Sequence, residues 1–423
     1  MRLIDLKNEK ILILGFGREG LDTLNFLRKL FPEKVIGVGD RNEKIKTKNS
    51  KLKNEKRIKW YSGENYLKAI KNYDIAIKSP GIPIHLPEIE KAYKRNKITS
   101  QADIFFENCP GKIIGITGTK GKSTTTALIY EILKLGGIRT HLVGNIGRPV
   151  LNFLFSATKK DVYVYELSSH QLYNLKKSPQ ISVFLNIYPE HLDYYKNFNE
   201  YKNAKTNITR YQKKDNFFVY NSEDKEVSKI AKKSKAKKIP LKGEYYDLDI
   251  EAARAVGKIF KIPTTKIEQA IKNFKPLPHR LEYVGIFRGI KFYNDSLSTI
   301  PETTIAALDY LGNNVQTLFL GGFDRGLKFE KLADKILKSK VENLILFPTT
   351  GIKIWKEISK QNKRKKAFNA YFTDNMEEAV RWAYENTDKR KICLLSCASP
   401  SFSIFKDYKQ KGNLFKKYVR KYA

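Results

Sequence analysis

Short apolar runs alternate with stretches of helical periodicity from one end of the chain to the other. Runs of strand length fall at 10–17 (KILILGFG), 34–40 (KVIGVGD) and 74–82 (DIAIKSPGI), then at 112–118 (KIIGITG), 161–168 (DVYVYELS), 181–187 (ISVFLNI) and 216–221 (NFFVYN). A third set occupies 289–296 (GIKFYNDS), 317–324 (TLFLGGFD), 343–348 (NLILFP) and 391–398 (KICLLSCA). Between them apolar residues recur at helix spacing, as in Ala127, Leu128, Ile129, Ile132 and Leu133. Near-continuous apolar strands interleaved with helices predict α/β layers whose mostly parallel sheets are covered on both faces. Proline and glycine interrupt the pattern at Asn108-Cys109-Pro110-Gly111 and at Lys275-Pro276-Leu277-Pro278. The strand sets and these breaks predict domains at 1–102, 103–276 and 277–423.

A length of 423 residues agrees with several domains at roughly 150 residues each. No apolar stretch approaches the ~20 residues that cross a bilayer, so no membrane contact is expected. The first ten residues, MRLIDLKNEK, are charged throughout and lack a signal-peptide core, which predicts a cytoplasmic protein. Cys109, Cys393 and Cys397 form no CxxC pair and read as buried free thiols. The net charge of +36 raises a nucleic-acid reading, but lysines are spread throughout. The densest runs, AKKSKAKK (231–238) and KRKK (363–366), lack aromatic residues for base stacking. A solvated basic surface, with no nucleic-acid partner, is the expectation.

Two glycine-rich turns carry candidate chemistry. Residues 115–126 read GITGTKGKSTTT between a predicted strand and helix. Ile116 stands where the strict phosphate-loop pattern has glycine, yet the physics survives that departure. Gly118 and Gly121 let the backbone between them, through Thr119 and Lys120, turn amides toward phosphate. Lys122 can reach the β and γ phosphates, and Ser123 and Thr124 open the helix, with Ser123 a candidate Mg²⁺ ligand. The earlier turn, Gly15-Phe16-Gly17-Arg18-Glu19-Gly20, follows a strand, and Asp40 ends the next one. This fits a Rossmann-type ribose-phosphate site with Asp40 accepting from a ribose hydroxyl. Two nucleotide-type sites in one chain suggest ATP plus a nucleotide-activated substrate. Glu166 ends the predicted strand 161–166, where a carboxylate opens onto the crevice of an α/β sheet.

TGTKGKST (117–124), GNIGRP (144–149), YELSSHQL (165–172), EHLDYY (190–195) and YKNAK (201–205) together resemble the Mur ligases. LPHRLE (277–282), YNDS (293–296), GGFDRG (321–326) and SPSFSIFKDYKQKG (399–412) extend the resemblance over the whole chain. It implies an N-terminal Rossmann-like domain, a central P-loop ATPase and a C-terminal Rossmann-like domain. The implied reaction is ATP-dependent amide formation: the alanine carboxylate of UDP-N-acetylmuramoyl-L-alanine is phosphorylated, and the glutamate amine displaces phosphate. Implied with it are two Mg²⁺ ions held by Ser123, Glu166, His191 and a carbamylated Lys205, with Lys122, His191 and Lys205 catalytic. Asn145, Arg280 and Asp295 join the phosphate loop in holding ATP, and Gly17, Arg18, Glu19, Asp40, Ser79, Gly81 and Asn145 hold the uridine substrate. Thr299, Arg325, Ser401 and Tyr408 match the glutamate-binding positions, and the chain is expected to act as a monomer.

The sequence departs from the family in four places. Gly243-Glu244-Tyr245-Tyr246-Asp247 replaces a usual His-Asn pair ahead of a helix expected to begin near Glu251, so Tyr246 is the candidate to stack on adenine. The segment from Lys205 to Tyr246 is short, and strands are expected to be missing there. Leu297 replaces a common lysine, and SPSF replaces a more usual Ala-Ser sequence, both near the amino-acid pocket. D-glutamate is the expected substrate, with L-glutamate the alternative. A folylpolyglutamate-synthase-like ligase, a nucleic-acid-dependent ATPase and a ligase that binds without turnover are further alternatives. Residues 1–102 argue against the first and the Glu-His-Lys set against the second.

Overall fold

The computed structural model describes residues 1–45, 52, 55–191, 194–243, 245–275, 277–363, 365–402 and 404–423, with Tyr245 described by its backbone alone. The expected boundary at Pro276 and the residues Asp193, Glu244 and Arg364 lie outside these. The chain divides into two compact units, Met1–Phe274 and Lys275–Ala423. The first takes in both stretches that the sequence assigns to separate domains, and each stretch builds its own sheet.

The first sheet comprises β1 (Ile11–Leu14), β2 (Ile36–Asp40), β3 (Ile58–Ser62), β4 (Ile75–Lys78) and β5 (Ile98–Thr99) in the order β3-β2-β1-β4-β5. All its pairings are parallel. Strand β1 is buried on both faces: Ile11 and Ile13 join one apolar cluster, Leu12 and Leu14 the other. Consecutive strands run outward from β1 in opposite directions, so the chain reverses between β1 and β4 and leaves a crevice at their carboxyl ends. The turn leaving β1 enters the helix Arg18–Leu30, and a Cβ on Gly20 would run into the Gly15 carbonyl. Only glycine allows the helix to start that close to the turn.

The second sheet comprises β6 (Lys112–Thr117), β7 (Thr140–Gly144), β8 (Val162–Glu166), β9 (Ile181–Phe184), β10 (Phe217–Asn221) and β11 (Lys237–Leu241), ordered β11-β10-β9-β6-β8-β7. It too is parallel throughout. The expectation of missing strands between Lys205 and Tyr246 is overturned, because β10, the helix Lys225–Lys233 and β11 occupy that segment. The helix expected near Glu251 begins at Tyr245, six residues earlier. Its buried Leu248, Ala252, Ala253 and Val256 keep helical spacing and pack it against the helix Lys122–Leu135.

The second unit carries β12 (Glu282–Phe287), β13 (Ile290–Asn294), β14 (Val315–Gly321), β15 (Asn343–Phe347), β16 (Asn369–Phe372) and β17 (Ile392–Leu395), ordered β12-β13-β17-β14-β15-β16. An antiparallel hairpin of β12 and β13 edges an otherwise parallel sheet.

Candidate active site

A cavity of about 490 Å³ lies at the reversal point of the first sheet. Gly15, Gly17, Arg18 and Glu19 line it from the turn after β1, Asp40 from the end of β2, and Ser79 to Ile82 from the loop after β4. Gly144, Asn145, Pro149 and Val150 close it from the second sheet's side. All seven residues expected at the uridine end therefore share one crevice. Their side chains are less available than expected, however. Asp40 already accepts from the amides of Phe16 at 2.7 Å and Asn42 at 2.8 Å, leaving one further lone-pair direction on each oxygen. The Arg18 guanidinium donates to the Gly147 carbonyl, tying the turn to the 144–149 loop. Glu19 accepts from Gln171 Nε2 at 2.9 Å, and burial raises its carboxyl above the ordinary range.

A second cavity of about 290 Å³ is lined by Lys122, Ser168, Ser169, His170, Glu190, His191, Tyr201 and Lys205. Pro80, Gly81 and Asn145 line both cavities, so the crevice of the first sheet adjoins the phosphate loop of the second. Asn145 borders both expected ligands. That loop runs from β6 into the helix Lys122–Leu135, and Gly121 caps it with φ of +85°. A Cβ at Gly121 would strike the Asp249 carboxylate, which also accepts from Thr125 Oγ1 at 2.7 Å. Tyr246, half-buried, lies one turn before Asp249 on the helix Tyr245–Ile259.

Not every amide of the loop faces an anion. Those of Thr119 and Lys120 donate to the Asn186 carbonyl at 2.9 Å and to Asn186 Oδ1 at 2.8 Å, which brace the loop from β9's end. The Lys122 ammonium folds back onto the carbonyls of Gly118 and Thr119, both at 2.9 Å. Ser123 and Thr124 are buried in the first helical turn. Lys120 pairs with Glu190 at 3.0 Å. Burial pushes the Glu190 carboxyl upward, but Lys120, Lys122 and His191 outweigh it and hold the group at about 2.

Lys205, on the helix Phe198–Arg210, is 1% exposed. Its Nζ donates to the Gly118 carbonyl at 2.8 Å, reaches Thr117 Oγ1 at 3.4 Å and sits 5.0 Å from the centre of the Tyr201 ring. Burial, reinforced by the neighbouring Lys122 charge, drives its amine well below the ordinary lysine range. Glu166, at the end of β8, is 3% exposed, and its Oε2 is buried without a hydrogen-bond partner. His191, with a left-handed backbone at φ of 58°, places its Nε2 3.9 Å from Glu190 Oε2.

The Glu166 oxygen that has no donor is suited to a cation, since a buried carboxylate oxygen without a partner is costly. Among the described residues no three His, Cys, Asp or Glu side chains converge as a metal cage. One carboxylate plus the Ser123 hydroxyl fits Mg²⁺, which keeps waters and completes its shell with substrate phosphate oxygens.

In the second unit, Asp295 is buried at the end of β13 and accepts from the Leu281 amide at 3.1 Å, from Ser396 Oγ at 2.9 Å and from Ser298 Oγ. Burial outweighs these donors and raises its carboxyl to about 6. Arg280 adjoins it through the Leu281 turn. Ser296 Oγ donates to the Tyr408 carbonyl at 2.8 Å, which joins the loop containing Thr299 to the start of the helix Tyr408–Lys421. Arg325 is exposed, with its guanidinium 5.9 Å from the Phe402 ring centre beside Ser401, whose buried Oγ has no partner.

Sequence reasoning assigned no role to Glu190, His170, Ser168 or Tyr201, all of which wall the second cavity. Glu190 and His170 stand inside the motifs EHLDYY and YELSSHQL, so their position beside His191 and after Glu166 was the available signal.

A crevice adjoining the glycine-rich turn, with a buried carboxylate and a buried amine beside it, fits the class of ligases that activate a nucleotide-linked acid. The chain belongs to the Mur ligase family, whose members are ATP-dependent, ADP-forming amide ligases: residues 9–99 match the Mur ligase MurD-like N-terminal domain and residues 116–274 the Mur ligase middle domain. It is 33% identical to the UDP-N-acetylmuramoylalanine–D-glutamate ligase of Acetivibrio thermocellus, over 98% of this chain and 97% of that protein. It is 34% identical, with the same coverage, to the ligase of that name from Clostridium acetobutylicum. The crystal structure of the MurF ligase of Thermotoga maritima in complex with ADP shares the fold, with a TM-score of 0.60 at 14% identity over 100% of this chain and 98% of that one. No described helix is long and apolar enough to cross a membrane.

Proposed function

We propose that this chain joins D-glutamate to UDP-N-acetylmuramoyl-L-alanine, with cleavage of ATP to ADP and phosphate, in peptidoglycan precursor synthesis. The observation that carries the reading is the sharing of Pro80, Gly81 and Asn145 between the two cavities. A substrate whose uridine end fills the first cavity along Gly17, Arg18, Glu19, Asp40, Ser79 and Gly81 extends its carboxylate past Asn145 into the second. There the phosphate loop, Gly118 to Thr124, holds the ATP phosphates with the amides that open the helix, and Tyr246 stacks on adenine. Lys122 swings from the Gly118 and Thr119 carbonyls onto the phosphate being transferred, where its charge is needed as negative charge builds. Arg280 and Asp295 supply further ATP contacts.

Ser123, Glu166 and His191 would hold Mg²⁺, which would neutralise phosphate charge during transfer. The buried Lys205 amine, deprotonated by its surroundings, is suited to react with CO₂. A nitrogen–carbon bond forms, a proton leaves, and the resulting carbamate gives Lys120 and Lys122 an anionic partner and a second Mg²⁺ a ligand. Thr299, Arg325, Ser401 and Tyr408 orient glutamate through its two carboxylates, so that its amine meets the acyl carbon and phosphate departs. The names of the curated relatives favour D-glutamate. The test is phosphate release from ATP in the presence of UDP-N-acetylmuramoyl-L-alanine and each glutamate enantiomer. Release that depends on both substrates supports the reading, and an inert mixture refutes it.

A further inference from the structure

Lys78 closes β4 and is 5% exposed, yet it lines neither cavity. Its ammonium donates to the Ser79 carbonyl at 3.1 Å, to the Ile82 carbonyl at 2.8 Å and to the Tyr194 hydroxyl at 3.4 Å. The Tyr194 hydroxyl in turn lies 3.1 Å from the Pro80 carbonyl and 3.0 Å from the Ile82 carbonyl. Carbonyls 79, 80 and 82 are thus gripped by two side chains, one from the first sheet and one from the segment after β9. All three ammonium protons are used within the protein, so Lys78 has none left for a ligand.

Such a lysine is an expensive way to hold a loop. Its acceptors are neutral, and burial lowers its amine to about 8 even though Glu19 opposes that shift. The segment it holds explains the expense: Pro80 and Gly81 are part of the wall common to both cavities, and Tyr194 belongs to the segment that brings Glu190 and His191 into the second.

We propose that Lys78 and Tyr194 are positioning residues that clamp this common wall and so set how far the acyl end of the nucleotide-linked substrate extends toward Lys122 and His191. The clamp rests on the ligase reading above and acts through the 79–82 carbonyls, without touching substrate. Neither side chain hydrogen-bonds to residues 118–124, and although the Tyr194 ring packs 4.2 Å from that of His170, the clamp bears first on the sugar-nucleotide side.

Calorimetric titration of the full chain with UDP-N-acetylmuramoyl-L-alanine, and separately with a non-hydrolysable ATP analogue, tests it. Lys78→Met weakens the sugar nucleotide by about tenfold or more, the equivalent of one lost charge-assisted hydrogen bond. Tyr194→Phe, which removes one oxygen and keeps the ring packing, weakens it by about threefold. Both variants bind the ATP analogue within twofold of wild type. Unchanged sugar-nucleotide binding in folded Tyr194→Phe and Lys78→Met, or equal weakening of both ligands, overturns the clamp. A wild-type chain that binds no UDP-N-acetylmuramoyl-L-alanine overturns the ligase reading itself, and the clamp with it.

Discussion

Replacing Lys205 by methionine separates what the buried amine does for the reaction from what it does for the fold. Methionine has nearly the same length and no charge. The Gly118 carbonyl keeps its 2.9 Å bond from Lys122, and Thr117 Oγ1 still donates to the Leu167 carbonyl at 2.9 Å, so no acceptor is orphaned. The neutral amine makes an ordinary hydrogen bond to the Gly118 carbonyl, so the change forfeits about 0.5–1.5 kcal/mol. Against that it removes the cost of holding the amine deprotonated when the unfolded lysine would be charged, on the order of several kcal/mol at neutral pH, and it gains apolar contact. The balance favours the variant by about 1–2 kcal/mol, or some 2–6 °C in the unfolding of the first unit. The gain depends on pH with a defined sign. Because the folded chain binds this proton more weakly than the unfolded one, wild type carries no penalty above the unfolded pKa near 10.5 and a growing one as pH falls toward the folded value. Scanning calorimetry in CO₂-free buffer at pH 7 and pH 10 measures both, beside phosphate release, which falls at least about a hundredfold. A variant that melts several degrees below wild type, or one that is more stable and still turns over, refutes the account of Lys205 as a group kept for chemistry against the interest of the fold.

Lys122→Ala abolishes phosphate release while leaving the melting profile within about a degree, because the ammonium is spent on backbone carbonyls in a half-buried loop rather than on core packing; near-wild-type turnover sinks the phosphate-loop assignment. Short carboxylic acids restore part of the activity of Lys205→Ala if the working group is a carbamate anion, and an active wild-type enzyme whose intact mass shows no CO₂ adduct under bicarbonate argues against it. Gly121→Ala costs about 2–3 kcal/mol in urea unfolding, since it imposes strain at φ of +85° and a clash with Asp249; an unchanged midpoint means the turn relaxes. Initial rates with the two glutamate enantiomers differ by at least about a hundredfold in kcat/KM, equivalent to about 2.7 kcal/mol, in favour of D-glutamate, and a preference for L-glutamate overturns the stereochemical reading.

What the sequence made legible follows burial. The strands found as apolar runs are the eleven interior ones: β1, β2 and β4, then β6, β8, β9 and β10, then β13, β14, β15 and β17. The strands overlooked are the six sheet edges among the described residues, β3, β5, β7, β11, β12 and β16. Interior strands of parallel sheets are apolar on both faces, whereas an edge strand such as β11, KKIPL, exposes lysine and proline and looks like surface. The same rule explains the helix that began six residues early, because Asp247 in its first turn is exposed and Tyr246 only half-buried, whereas Leu248 is buried. At the candidate site the turns were legible because glycine and phosphate chemistry leave a local signature. Lys205 and Lys78 were not legible from composition: among 80 lysines and arginines, what distinguishes them is burial, which the fold alone creates. Asp40 shows the converse, a residue found in the expected place with its carboxylate already engaged by the Phe16 and Asn42 amides.

The wall shared by the two cavities also bears on how the enzyme could be blocked. Cavities of about 490 and 290 Å³ that meet at Pro80, Gly81 and Asn145 are each large enough for a fragment-sized molecule, and they need only a short tether between them. Two weak binders joined across Gly81, which has no side chain to obstruct the tether, would each see the other at millimolar effective concentration and gain two or more orders of magnitude in residence over either alone. A resistance substitution at Gly81 that narrowed the passage against such a compound would narrow it equally for the acyl chain the enzyme must pass.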